Sequence, residues 1–132
     1  MIITDGTTPI TLSDDLLWSD EFNWNPVEQA SQRTITGGLV VSSAVRTGGR
    51  PITLEPQDDN SAWHSRATIE QLRNWSATAG RTLTLTLRGV NYTVAYRHQD
   101  GTAVEARPVV HFAQADVASG DWFHLTLRLM QV

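Results

Sequence analysis

The chain has 132 residues and no cysteine; 40% of it is apolar, 18% is charged, and the net charge is −4. That length fits one domain with a hydrophobic core of useful size, and the composition excludes both a disordered chain and a coiled coil. The negative sign argues against a dedicated nucleic-acid binder, whose phosphate contacts demand a basic stripe.

Residues 1–5 lack the basic region and long apolar stretch of a secretory signal. No apolar run reaches the roughly 18 residues of a membrane span, so a protein folded in a cytosol is expected, with no membrane association. Ile10-Thr11-Leu12 and Leu16-Leu17-Trp18 are short strand candidates. Residues 19–32 contain Pro26 and no convincing period, which suggests a long loop or arm. Thr34-Ile35-Thr36 and Leu39-Val40-Val41 read as strands interrupted by Gly37-Gly38, and Gly48-Gly49-Arg50-Pro51 as a turn leading into Ile52-Thr53-Leu54.

One helix is predicted from Ala62 to Trp75. Asp58, Asp59, Asn60 and Ser61 offer N-caps, Ile69, Leu72 and Trp75 share a stripe, and Gly80 marks the stop. With apolar residues on one side only, it should lie on a sheet or plug the end of a barrel.

The rest alternates with period two. Leu83, Leu85 and Leu87 share one face, and after a turn at Gly89-Val90-Asn91 so do Tyr92, Val94 and Tyr96. Asp100-Gly101 signals a hairpin into a returning strand over residues 103–112. Pro108 in that strand implies an edge or a bulge. A polar loop over residues 116–120 precedes a last strand with Phe123, Leu125, Leu127 and Leu129 facing a core. The fold class expected is mainly β with one α-helix: a split β-barrel or β-sandwich with a C-terminal meander and a flanking helix, in a single domain over residues 1–132.

A search for chemistry finds no G-x-S-x-G elbow, no phosphate-cradling loop ending in Lys and no H-E-x-x-H helix. His111 and His124 would face each other across two strands if the 116–120 loop closes a hairpin, the start of a zinc site without an evident third ligand. Surface or hydrogen-bonded histidines are the plainer reading. Asp14-Asp15 and Asp20-Glu21 near Trp18, Phe22 and Trp24 have the residue types of a glycosidase, although adjacent acids near turns are usually caps or solvated charges. No enzyme, catalytic residue, metal or cofactor is expected.

All ten basic residues are arginine. A genome rich in G and C explains this, and arginine forks also suit carboxylate pairing between subunits. Residues 1–60 carry nine acids against three arginines, and residues 61–132 seven arginines against five acids, an asymmetry that suits head-to-tail association and equally an ordinary solvated surface. The cluster Trp18, Phe22 and Trp24 is either packed under a loop or an anchor for a neighbouring subunit.

Leu17-Trp18-Ser19-Asp20-Glu21-Phe22-Asn23-Trp24, Gly49-Arg50-Pro51-Ile52-Thr53-Leu54 and Tyr92-Thr93-Val94-Ala95-Tyr96-Arg97 resemble segments of small tail proteins of long-tailed bacteriophages. The order of parts is similar too, with early strands, a helix after the Arg-Pro-Ile-Thr-Leu strand, and a closing meander. The resemblance implies a split β-barrel with a flanking helix, which forms a hexameric ring around the DNA channel. Of these proteins the distal tail type, which joins tube to baseplate, is the one favoured, with tube, terminator or connector proteins as alternatives and a soluble ligand-binding barrel after them. The implied partners are further copies of itself, the tube, the baseplate hub and the tape measure, with DNA only in passing. The chain would be made in the host cytoplasm and end in the virion. Trp18, Phe22, Trp24 and Arg50 are then subunit-interface candidates. Asp14, Asp15, Asp20 and Glu21 are lumen candidates, because a basic wall would hold the passing phosphates.

Overall fold

In a computed structural model, which describes residues 1–111 and 113–132, the chain is mainly β with a single α-helix. In chain order the elements are β1 (Ile2–Thr4), β2 (Pro9–Thr11), β3 (Leu16–Trp18), β4 (Val27–Arg33), β5 (Leu39–Val45), β6 (Arg50–Pro56), β7 (Trp63–Ser65), α1 (Arg66–Ser76), β8 (Thr82–Leu87), β9 (Val90–Tyr96), β10 (Val104–Pro108) and β11 (Trp122–Gln131). Nine strands form one antiparallel sheet in the order β2-β1-β8-β9-β11-β6-β3, with β10 and β7 also paired to β11, while β4 and β5 pair only with each other.

The ten-residue β11 organises the sheet. It is long enough to hold two strands end to end along each side. Leu129 lies between Ile52 of β6 and Tyr96 of β9, and His124 lies between Trp63 of β7 and Arg107 of β10. Its alternation sends Leu125, Leu127 and Leu129, all fully buried, into the core beside Ile3, Leu12, Ile52, Leu54, Leu85 and Val94. Helix α1 adds Ile69, Leu72 and Trp75 to this core, and the Tyr96 hydroxyl fixes the helix by donating to the Leu72 carbonyl at 2.9 Å. Burial pushes the Tyr96 phenol well above the ordinary tyrosine range, so it stays a donor.

Strands β2 and β3 stand at opposite ends of the sheet order, yet only residues 12–15 separate them. Such a connection reaches at most about 18 Å, so the sheet has to curl until its two ends approach. No ladder joins those ends among the described residues, and the sheet is therefore open and sandwich-like, not a closed barrel. The connecting segment is pinned instead by single hydrogen bonds: the Leu12 amide donates to the Met1 carbonyl at 2.8 Å, and the Ser13 amide to His64 Nε2 at 3.0 Å.

Several local expectations shift. Ala62 sits at φ 58°, outside the helical region, and residues 63–65 join β11 as a strand, so α1 starts at Arg66 with Ser65 as its N-cap. The β8–β9 turn is Arg88-Gly89, both at positive φ, one residue earlier than its composition suggests. Asp100-Gly101 does not close a hairpin; β9 and β10 follow one another along the same side of β11. The returning strand stops at Pro108, on an edge as its missing donor requires, and the expected continuation to Phe112 ends outside the described residues. Ile2–Thr4 is a strand that was not anticipated.

Candidate assembly surface

Strands β4 and β5 form a seven-pair hairpin, from Val27 opposite Val45 at the root to Arg33 opposite Leu39 at the tip. Thr34-Ile35-Thr36 is its turn and not a strand. The Gly38 amide donates to Thr34 Oγ1 at 2.9 Å, the Thr34 amide donates to the Gly38 carbonyl at 2.8 Å, and Gly37 takes φ 86°, where a side chain would be strained. A residue and its cross-strand partner share a face. One face therefore carries Val27, Val45, Val41 and Leu39 beside Gln29, Ser31, Ser43 and Arg33, and the other carries Glu28, Ala30, Gln32, Ala44, Ser42 and Val40. Every residue of both strands but Val27 is exposed, and Ile35 at the tip is completely so.

The root of this arm is held firmly. Asp20 accepts from the Thr53 amide at 2.9 Å and from the Thr53 hydroxyl at 2.8 Å, and that hydroxyl in turn accepts from Arg97 Nη2 at 2.7 Å. Arg97, nearly buried, also faces Asp20 at 3.5 Å and Asp100 at 2.9 Å. Glu21 holds both terminal nitrogens of Arg88, at 2.6 and 3.1 Å, and this shared hydrogen bonding raises the arginine further above its ordinary value. Arg88 sits in the left-handed β8–β9 turn, so this pair ties that turn to the segment before the arm. Arg50 donates to the Glu21 carbonyl at 3.0 Å and lies over the Trp18 ring at 4.5 Å.

These contacts separate the residues that the sequence grouped. Trp18 is a core side chain, 7% exposed, with its indole N–H on the Pro51 carbonyl and Tyr92 edge-on at 5.7 Å, which corrects its reading as an interface anchor. Its place on β3, paired with Leu54, turns it inward. Phe22 is 90% exposed, Trp24 is half-buried under Arg46, and Arg50 is half-buried and committed to the root. Asp14 and Asp15 are exposed on the β2–β3 connection. Asp20 and Glu21 are taken up by arginines within the chain, so the charge they would offer to a lumen is largely neutralised.

His111 and His124 do not oppose one another, because His124 is paired with Arg107 and His111 lies beyond the end of β10. No group of three or more potential metal ligands occurs among the described residues. The described helix is too short to cross a membrane. The residues that sequence reasoning missed are the apolar row of β4 and β5; the run Leu39-Val40-Val41 was visible, but its pairing with a polar-looking strand before it was not. Set against family models, curated proteins and solved structures, the chain matches none of them.

Proposed function

We propose that the chain is a structural subunit of a bacteriophage tail, most simply the distal tail ring that joins tube to baseplate, and that it acts by assembling with further copies of itself. The observation that carries this reading is the exposed arm. A two-stranded hairpin is marginal alone in water and needs a third strand or a packed face. Here Leu39, Val41 and Val45 lie exposed on one face, both outer edges of the hairpin are unpaired among the described residues, and the segment that leads into it is tied to the sheet by the ion pairs of Asp20 with Arg97 and Glu21 with Arg88. A long exposed edge with apolar side chains invites pairing with another chain, and a soluble monomer would be expected to blunt it. The arm of one copy lying on the next generates a head-to-tail contact, which closes into a ring when the rotation allows, here a hexamer.

In this reading other tail proteins (tube, hub and tape measure) cap the ring, DNA passes through it, and the subunit is made in the host cytoplasm and carried in the virion. Of the four candidate acids, Asp15 is the one without an ion pair among the described residues and so left to face a lumen, since Asp14 pairs with the N-terminal amine of Met1. A tube, terminator or connector protein would use the same arm. The test is the mass in solution over a range of concentrations, for the native chain and for Val41→Asp. Concentration-dependent oligomers that disappear in the variant support the reading. A native chain and variant that remain equally monomeric, alone and with tail proteins added, contradict it.

A further inference from the structure

On the outer face of the sheet, away from both the core and the arm, two tryptophans stand side by side. Trp63 on β7 is directly opposite His124 on β11, and Trp122 lies two residues before His124, so both indoles emerge from the same face as diagonal neighbours. Diagonal positions are about 7–8 Å apart. Trp63 is 39% exposed and Trp122 53%, unusual for side chains of this size in a sheet that has a core to hide them. With Val109 and Val110 they line a hollow of about 220 Å³. Across Trp63 it adjoins a second hollow of about 450 Å³, walled by Asp59, Asn60, Arg107, His111 and His124.

The two hollows differ in character. The first is mainly an aromatic and aliphatic bed, with Asp121, which accepts from the Ala118 amide at 2.9 Å, also in its lining. The second is a polar rim whose charges cancel, since Arg107 Nη2 donates to Asp59 at 2.8 Å. The same loop fixes the bed, because Trp63 Nε1 donates to the Asp59 carbonyl at 3.0 Å, and His124 meets the Trp63 ring edge-on at 6.4 Å. His124 is buried at the floor, and its Nδ1 has no hydrogen-bond partner among the described residues. A buried polar atom without a partner costs free energy that a ligand hydroxyl can recover.

We propose that this groove is a binding site for a neutral saccharide. A pyranose ring has an apolar C–H face and a polar circumference. The first would lie on the indoles and the second would reach Asp59, Asn60 and Arg107; sites of this kind combine an aromatic lining with a few placed polar groups. The charge balance selects against anionic ligands. A nucleic-acid strand would also stack on tryptophan, but it needs a basic track for its phosphates, whereas Arg107, the arginine in the described lining of these two hollows, is already paired. The saccharide reading does not depend on the assembly proposal, since none of its residues belongs to the arm.

The experiment is a titration of the full chain with maltotriose, cellotriose and the N-acetylglucosamine trimer, following the indole N–H resonances. Trp63→Phe and Trp122→Phe assign the two signals. At least one of the three sugars should shift both signals saturably at millimolar concentration, and Trp122→Ala should weaken binding by about tenfold or more, while Asp59→Ala weakens it less. The thermal midpoint of Trp122→Ala should stay close to the native value, because that side chain is half in solvent. The proposal is overturned if none of the three shifts either signal, or if the shifts survive Trp122→Ala. It is also overturned if Trp122→Ala changes the oligomeric mass without any sugar binding in the native chain, which would make the groove a protein contact.

Discussion

The sheet and the arm are both antiparallel β-structure, yet they are held together in different ways. Around β11 each strand has a buried face, and Leu125, Leu127 and Leu129 lose essentially all contact with water. In the arm the ladder is as regular and as long, but its side chains bury almost nothing within the chain. Backbone hydrogen bonds contribute only about 1 kcal/mol net each, so apolar burial decides which β-structure persists alone. The body should therefore fold independently, whereas the arm should depend on a partner.

The largest expected effect comes from the body side. Trp18→Ala should destabilise the chain by about 3–5 kcal/mol in denaturant unfolding, as for a large side chain removed from a core, without altering association. If the main change were in association, Trp18 would belong with the arm. Asp20→Ala removes the acceptor of the Thr53 amide and hydroxyl and one of the two carboxylates facing Arg97, and should cost about 1–3 kcal/mol, a loss that Arg97→Met should partly reverse in the double variant. If Asp20→Ala is silent, the root is not rigid and the arm has no fixed direction.

A smaller effect is expected with pH. Desolvation lowers the pKa of buried His64 from 6.5, although its hydrogen bond to the Ala62 carbonyl opposes the shift. The neutral ring accepts the Ser13 amide and so helps to keep the two ends of the sheet together. Below pH 6.5 the unfolded chain takes up a proton before the folded one does. Stability is thus full above 6.5 and declines as pH falls from there to the lower folded-state value. His64→Gln should flatten that part of the profile, and an unchanged slope would assign it to other groups. The smallest effect on stability is that of Val41→Asp, within about 0.5 kcal/mol, because the residue is exposed. Its effect on mass should be the clearest of the series.

The same contrast explains how much could be read from the sequence. Strict alternation in Leu83-Leu85-Leu87 and Phe123-Leu125-Leu127-Leu129 reports a sheet with one buried face, and those strands were legible with their core side chains. Strand β4, Val27-Glu28-Gln29-Ala30-Ser31-Gln32-Arg33, buries no face, so it carries no period and resembles a loop. Residues 63–65 have helical composition but pair with β11, a long-range demand that local pattern cannot express. Trp18 and Trp24 look alike in sequence and differ only because β6 covers the first. The groove of Trp63 and Trp122 was hidden for a similar reason: 58 residues of chain lie between two side chains that the ladder makes neighbours.

Hydrogen exchange on a dilute monomeric sample tests the contrast most directly. Amides in the β11 ladder should be protected to the level of global unfolding, those in β4 and β5 should exchange as nearly open chain, and arm protection should rise when the protein is concentrated. Arm amides as slow as those of β11 in an isolated monomer would contradict the account, since the hairpin would then need no neighbour.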